Sequence, residues 1–180
     1  MKNYYDITIA GVKRRLPLCS ISDDVEIAAF IVFGDVEITV AATTELLKKV
    51  PEFDVIITPE AKSIPIAYEF ARQTGKPYIV ARKGTKVYMN NPISVHVRSI
   101  TTNRPQMLYL GDDDVMKIKG KRVLIVDDVI SKGASLVAVR ELVEAAGGIE
   151  AAACAILAEG DAALRDDIVF LEPLPMFFKN

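Results

Sequence analysis

The run Arg122-Val123-Leu124-Ile125-Val126-Asp127-Asp128-Val129-Ile130-Ser131-Lys132-Gly133-Ala134-Ser135 sets two adjacent carboxylates ahead of a short stretch of small and hydroxylated residues. Val123 to Val126 is apolar and rich in β-branched residues, which suits a strand covered on both faces. Ala134 to Ala146 contains helix formers, with apolar side chains at Leu136, Val139, Leu142 and Val143. In such a strand, loop and helix unit, the first helical amides lack internal acceptors and, together with the helix dipole, favour an anion. Ser131 and Ser135 add hydroxyls, and Gly133 lets the backbone approach closely. This composition predicts a bound phosphate. Asp127 and Asp128 fall where open α/β sheets bind ligands, and paired carboxylates there can accept hydrogen bonds from two ribose hydroxyls or hold Mg2+ through water. The same text also suits a strand followed by a solvated acidic turn.

A second turn of similar design is Thr58-Pro59-Glu60-Ala61-Lys62-Ser63-Ile64-Pro65. Its amides and the Lys62 ammonium can bind a diphosphate, and Ser63 can cap the helix that Pro65 begins. A plain capped turn with a surface lysine is the alternative. Arg82 and Lys83 close the next apolar segment, either as anion ligands or as a solvated basic end. His96 is the single histidine, which weakens any zinc site or nucleophilic triad. Asp112-Asp113-Asp114 reads as a solvated turn ahead of Lys117, Lys119 and Lys121.

These residues need a scaffold, and the pattern predicts one. Tyr4 to Ile9 and Val12 to Leu18 flank Ala10-Gly11 as a hairpin, and Ile27 to Phe33 reads as a third strand ending at Gly34. Asp35 suits the N-cap of a helix through Val50 that Pro51 closes. Phe53 to Thr58, Pro77 to Ala81, Gln106 to Leu110, Val123 to Val126, Ala151 to Leu157 and Ile168 to Leu171 read as strands, with a helix from Ile64 to Thr74 stopped by Gly75. Alternation of this kind predicts a parallel sheet. Arg82 to Arg104 reads as a long mobile excursion around a strand at Ser94 to Ser99. With 180 residues, 51% of them hydrophobic, the chain suits one well-buried domain with an appendage. A net charge of -2 argues against a nucleic-acid partner. Cys19 and Cys154 lack ligand spacing and read as a reduced pair in the core of a cytoplasmic protein. The N-terminus lacks an apolar signal core and no segment approaches a membrane span, so no membrane partner is expected. The apolar tail Pro173 to Phe178 is expected to pack on the N-terminal strands or on a partner subunit.

Four apolar residues, two acidic, two apolar and then Ser-x-Gly-x-Ser resemble the phosphoribosyl-pyrophosphate motif of the type I phosphoribosyltransferases. Glu60-Ala61-Lys62-Ser63 resembles the pyrophosphate loop of the purine-base branch, and the likeness runs from about Phe53 to Leu157. It implies an α/β fold, a parallel sheet flanked by helices, with a β-rich hood at 1–34 and a core at 35–180 whose C-terminal tail packs near the hood. It also implies transfer of phosphoribosyl from phosphoribosyl pyrophosphate to a free purine, with Mg2+ as cofactor and a homodimer as the assembly. Asp127 and Asp128 would be the catalytic pair, fixing the ribose and holding Mg2+ through water. Glu60, Ala61, Lys62, Ser63, Arg82 and Lys83 would bind pyrophosphate, Lys86 would bind substrate from a closing loop, and Val129, Ile130, Ser131, Lys132, Gly133, Ala134 and Ser135 would bind the phosphorylated sugar. A flexible loop carrying Lys86, Tyr88, His96, Arg98 and Arg104 would close over the site. Lys132 stands where the family commonly has threonine, Ala134 where it has glycine and Ser135 where it has threonine. Gly84 to Gly111 holds no Asp or Glu, so the proton acceptor used by some adenine-specific relatives has no counterpart. Ser131 replaces the acidic residue typical of 6-oxopurine enzymes, which tilts the expectation to adenine or xanthine. Adenine leads. The alternatives are a xanthine or hypoxanthine/guanine enzyme, or a non-catalytic regulator that senses phosphoribosyl pyrophosphate.

Overall fold

The computed structural model describes residues 3–97 and 106–179. Five apolar segments past residue 50 assemble into a parallel sheet, whose central strands are buried on both faces. Its strands are β4 (Val55–Pro59), β5 (Tyr78–Ala81), β8 (Arg122–Ile130), β9 (Ile149–Glu159) and β10 (Val169–Leu174), in the spatial order β10-β9-β8-β4-β5. Successive side chains point to opposite faces. Ile57, Val123 and Ile125 meet helix α4 (Ala134–Ala145) through Leu136, Val139 and Leu142. Ile56, Leu124 and Val126 meet α1 (Val36–Leu47) and α2 (Ile64–Thr74) through Ile38, Leu46, Ile66 and Phe70. These two layers clamp β8 at the middle of the sheet.

A second sheet has the order β1-β2-β3-β11, made of β1 (Tyr4–Ile9), β2 (Val12–Ser20), β3 (Val25–Ala28) and β11 (Met176–Phe178). Ala10 and Gly11 turn the first hairpin with φ of 49° and 80°, the paired left-handed conformation that matches strand twist. The tail closes on this sheet. β11 pairs antiparallel with β3, and the Tyr5 and Phe177 rings meet edge-on at 5.3 Å.

Several boundaries differ from expectation for physical reasons. The third strand is Val25–Ala28 rather than 27–33, because Phe30 and Val32 are buried by side-chain packing after the chain has left the sheet. Helix α1 is capped by Asp35, whose carboxylate accepts from the Ile38 amide at 3.2 Å, but ends at Leu47, before the lysine pair. Within the expected excursion, β6 (Ile93–Val97) pairs antiparallel with β7 (Gln106–Leu110), and the pair buries Val97, Leu108 and Leu110. Arg98, Ser99 and Arg104 lie outside the described residues. Asp112 to Asp114 are not a loose turn but the first turn of α3 (Asp112–Ile118), where carboxylates complement the positive end of the helix dipole. Cys154 is buried as expected, whereas Cys19 is exposed on β2, so the two do not form a core pair. Among the described residues no helix is long and apolar enough to cross a membrane.

Candidate functional site

The largest correction concerns the acidic pair. Asp127 and Asp128 lie inside β8, not in a turn after it, because β8 stays paired with β9 as far as Ile130 opposite Ala158. Strand alternation alone would part the two side chains, yet both line the cavity below the β4 turn. Asp128 is 3% exposed, and its amide donates to Asp127 Oδ1 at 2.9 Å. The Lys62 ammonium stands 2.7 Å from Asp128 Oδ2. That oxygen is buried and has no well-aligned hydrogen bond, so the contact is a charge pairing rather than a directed bond. Burial, and after it the Asp128 carboxylate, push the Asp127 carboxyl well above the usual carboxylate range.

Past Ile130 the chain turns through Ser131 to Gly133 into α4, with Gly133 at φ 79°. Ile21, Asp127, Val129, Ile130 and the loop from Ser131 to Ser135 line a cavity of about 530 Å³. Lys132 is exposed at its rim. A second cavity of about 290 Å³ is lined by Glu60, Ala61, Lys62, Ser63, Lys83, Asp127, Asp128, Val129 and Ser135. Asp127, Val129 and Ser135 border both, so the carboxylate pair sits between an amide-rich loop and a lysine-bearing turn. One can take a phosphate and the other a diphosphate, at the two ends of one sugar.

The turn after β4 is tied by side chains. Thr58 Oγ1 donates to Ser63 Oγ at 2.7 Å, and Ser63 Oγ donates to the Pro59 carbonyl at 3.3 Å. Ser63 is therefore not the expected helix cap: it is 1% exposed and its hydroxyl braces the turn from within. Glu60 is also occupied, with Oε2 accepting the Lys83 amide at 2.8 Å and Oε1 standing 3.3 Å from Arg82 Nη2. The peptide bond between Glu60 and Ala61 is cis.

Most of the expected residues converge. Arg82 lies behind Glu60 and pairs through its backbone with Tyr109, and neither it nor Lys86 lines either cavity. Sequence reasoning missed Val97, Gln106 and Leu108, which wall the second cavity. The alternation in Ile93–Val97 and Gln106–Leu110 was the available signal, and it marks a hairpin without saying where that hairpin docks.

The donor set suits Mg2+. Two adjacent carboxylates offer hard oxygens, and among the described residues no cluster of three His, Cys, Asp or Glu is present. Mg2+ is commonly held by one or two carboxylates with the remaining positions left to water and substrate oxygens. Asp127 and Asp128 would hold it.

A parallel sheet whose central strand carries a carboxylate pair near its carboxyl end, between a glycine-containing loop and a lysine-bearing turn, defines an α/β protein with a polar site at that end of the sheet. Residues 37–176 match the family model of the phosphoribosyl transferase domain, and the chain belongs to that family. Over 120 residues it is 35% identical to the hypoxanthine/guanine phosphoribosyltransferase of Methanococcus voltae, covering 67% of this chain and 60% of that protein. It is 33% identical over 108 residues to the adenine phosphoribosyltransferase of Thermotoga petrophila, 60% of each chain. It is also 33% identical over 85 residues to the purine biosynthesis transcriptional repressor PurR of Bacillus subtilis, 47% of this chain and 29% of the repressor. The match thus spans about 60% of the length of the first of these relatives. The crystal structure of adenine phosphoribosyltransferase from Thermoanaerobacter pseudethanolicus superposes with a TM-score of 0.66 at 24% identity, over 94% of this chain and 95% of that one. At that identity the likeness is one of fold.

Proposed function

We propose that this chain is a Mg2+-dependent purine phosphoribosyltransferase that moves phosphoribosyl from phosphoribosyl pyrophosphate to a free base, with adenine the leading substrate. The observation behind this is the Asp127-Asp128 pair seated where the phosphate loop and the lysine turn share a border. The loop from Ser131 to Ser135 holds the 5′-phosphate and so fixes the sugar from one end. Asp127 and Asp128 accept hydrogen bonds from the ribose hydroxyls. Lys62 and Lys83 meet the pyrophosphate as negative charge builds on it. C1 of the ribose loses pyrophosphate and gains a ring nitrogen through a transition state with oxocarbenium character, akin to that of glycoside cleavage. When bound, Mg2+ neutralises the departing diphosphate and orients it. The strands of 1–34 and the tail that pairs with them serve as a hood over the base.

Ser131 tilts the choice to adenine or xanthine, since family members acting on 6-oxopurines tend to carry an acidic residue at that place in the motif. The adenine-specific relative supports adenine, and the Methanococcus relative supports hypoxanthine or guanine. The likeness to PurR favours a second reading, a sensor that binds phosphoribosyl pyrophosphate without transfer. The test is incubation of the protein with phosphoribosyl pyrophosphate, Mg2+ and each of adenine, hypoxanthine, guanine and xanthine, measuring nucleotide and pyrophosphate. Adenosine monophosphate as the main product supports the enzyme. Another nucleotide overturns the choice of base, and tight binding without product with any base supports the sensor.

A further inference from the structure

The phosphate loop has a neighbour that neither its motif nor its family assigns. Gly133 is buried, and a Cβ added there would lie 2.8 Å from Arg165 Nη1, so the guanidinium fills the space that a side chain at 133 would take. Arg165 follows the 3-10 turn Gly160–Leu164, more than thirty positions along the chain from the loop it covers. Its direction is fixed. Nε and Nη2 donate to the two oxygens of Asp167 at 2.8 and 2.7 Å, which leaves Nη1 facing Gly133. Asp167 is itself held by Arg140 Nη1 at 2.7 Å, and Arg140 makes a forked contact with Glu150. Arg140 belongs to α4, the helix that the loop opens. The network therefore runs from the body of that helix, across to Arg165, and back onto the residue that starts it.

We propose that Arg165 is a positioning residue for the phosphate loop. It presses a planar, rigidly forked group on Gly133 and so holds the left-handed turn in which the loop amides converge on one anion. A loop of small residues otherwise has many conformations to lose on binding, and a brace removes that cost beforehand. The inference deepens the assignment of this loop to the 5′-phosphate and rests on it. A lysine cannot reproduce the brace, because a single ammonium does not fork Asp167 and cover Gly133 together.

Ribose 5-phosphate and inorganic pyrophosphate serve as separate probes of the two subsites, titrated against the wild type, Arg165→Met, Arg165→Lys and Asp167→Asn. The brace predicts at least tenfold weaker ribose 5-phosphate binding in Arg165→Met, a smaller loss in Arg165→Lys and Asp167→Asn, and unchanged pyrophosphate binding in all three. With phosphoribosyl pyrophosphate as substrate, KM rises in Arg165→Met more than kcat falls. Wild-type affinity for ribose 5-phosphate in Arg165→Met overturns the brace, as does an equal loss for both probes, which would mark a general structural role. Should Arg165→Met not fold, the graded losses in the other two variants decide in the same way. Failure of the wild type to bind ribose 5-phosphate removes the assignment of the loop itself, and the brace with it.

Discussion

On the proposed function, the loop after β8 and the turn after β4 each hold a phosphorylated group at the end of a parallel strand, and they are built for it by opposite means. The β8 loop works through its backbone: amides at the start of a helix, and Gly133 in a left-handed conformation. The β4 turn is fastened before any ligand arrives. Thr58 and Ser63 bond each other inside it, Glu60 holds the Arg82-Lys83 strand end, and Lys62 is paired with Asp128. A backbone cradle suits a group that stays bound through a reaction, since its amides cannot leave. A flexible ammonium suits a group that departs, since it can change partner. The comparison separates an anchor from a release site, and each half can be broken alone.

Asp128→Asn should do most damage, because Asp128 borders the turn and pairs with Lys62, and on the proposed function it shares the ribose and Mg2+ with Asp127. Turnover should fall about 100-fold or more, the scale of losing a preorganised electrostatic contact. The amide keeps the shape, so the circular dichroism spectrum and a cooperative melt should persist. Unchanged turnover would take the carboxylate out of the site. Gly133→Ala comes next and strikes the anchor alone. An alanine at φ 79° costs about 1–2 kcal/mol in backbone strain and collides with Arg165 Nη1. Ribose 5-phosphate should bind about tenfold more weakly, on the scale of 1.4 kcal/mol per decade. Pyrophosphate binding should stay as it was.

The two halves were not equally legible in the sequence. The anchor is written in one local run, since strand, carboxylates, glycine and hydroxyls all fall between Arg122 and Ser135. Its fold class followed from the same logic, as buried apolar strands alternating with helices leave little choice but a parallel sheet. Even so, local text placed the carboxylates past the strand, because nothing local shows that β9 continues the pairing to Ile130. The release site depends on distant partners. Glu60 meets Arg82 and Lys83, and Lys62 meets Asp128, through strand register rather than spacing. Ser63 reads as a helix cap by position, and only the packing of the turn shows its hydroxyl directed inward to Pro59. Arg165 above Gly133 is the extreme case, with no signal near either residue.

Lys62→Ala tests release. Affinity for pyrophosphate and phosphoribosyl pyrophosphate should drop about tenfold, the value of one partly desolvated charge-assisted contact. The nucleotide product lacks the diphosphate and should bind almost as in the wild type. Equal losses for both would mean that Lys62 acts by steadying Asp128 instead. Glu60→Gln is milder: the Lys83 amide keeps an acceptor while Arg82 loses its charged partner. The KM for phosphoribosyl pyrophosphate should rise two- to threefold, roughly the scale of a partly exposed ion pair.

The last effect is on the free protein and lies where the two halves meet. Burial and the neighbouring Asp128 raise the Asp127 carboxyl from the ordinary 3.8 to about 8. Between those values the folded chain holds more proton than the unfolded one, so this pair makes stability fall as pH rises through the window. Asp54 and Asp167 are shifted the other way by their arginine partners, and their contribution is lost only as pH falls through the acid range below their ordinary values. The two effects therefore occupy different parts of the scale. Asp127→Asn cannot carry the extra proton, so its stability from pH 5 to pH 8, followed by urea denaturation, should be flatter than that of the wild type. Mg2+ with phosphoribosyl pyrophosphate should flatten the wild-type curve as well, because the carboxylate then faces a cation and gives up its proton. A wild-type curve already flat across this range would mean that Asp127 is ionised in the free site, with Lys62 near enough to serve both carboxylates.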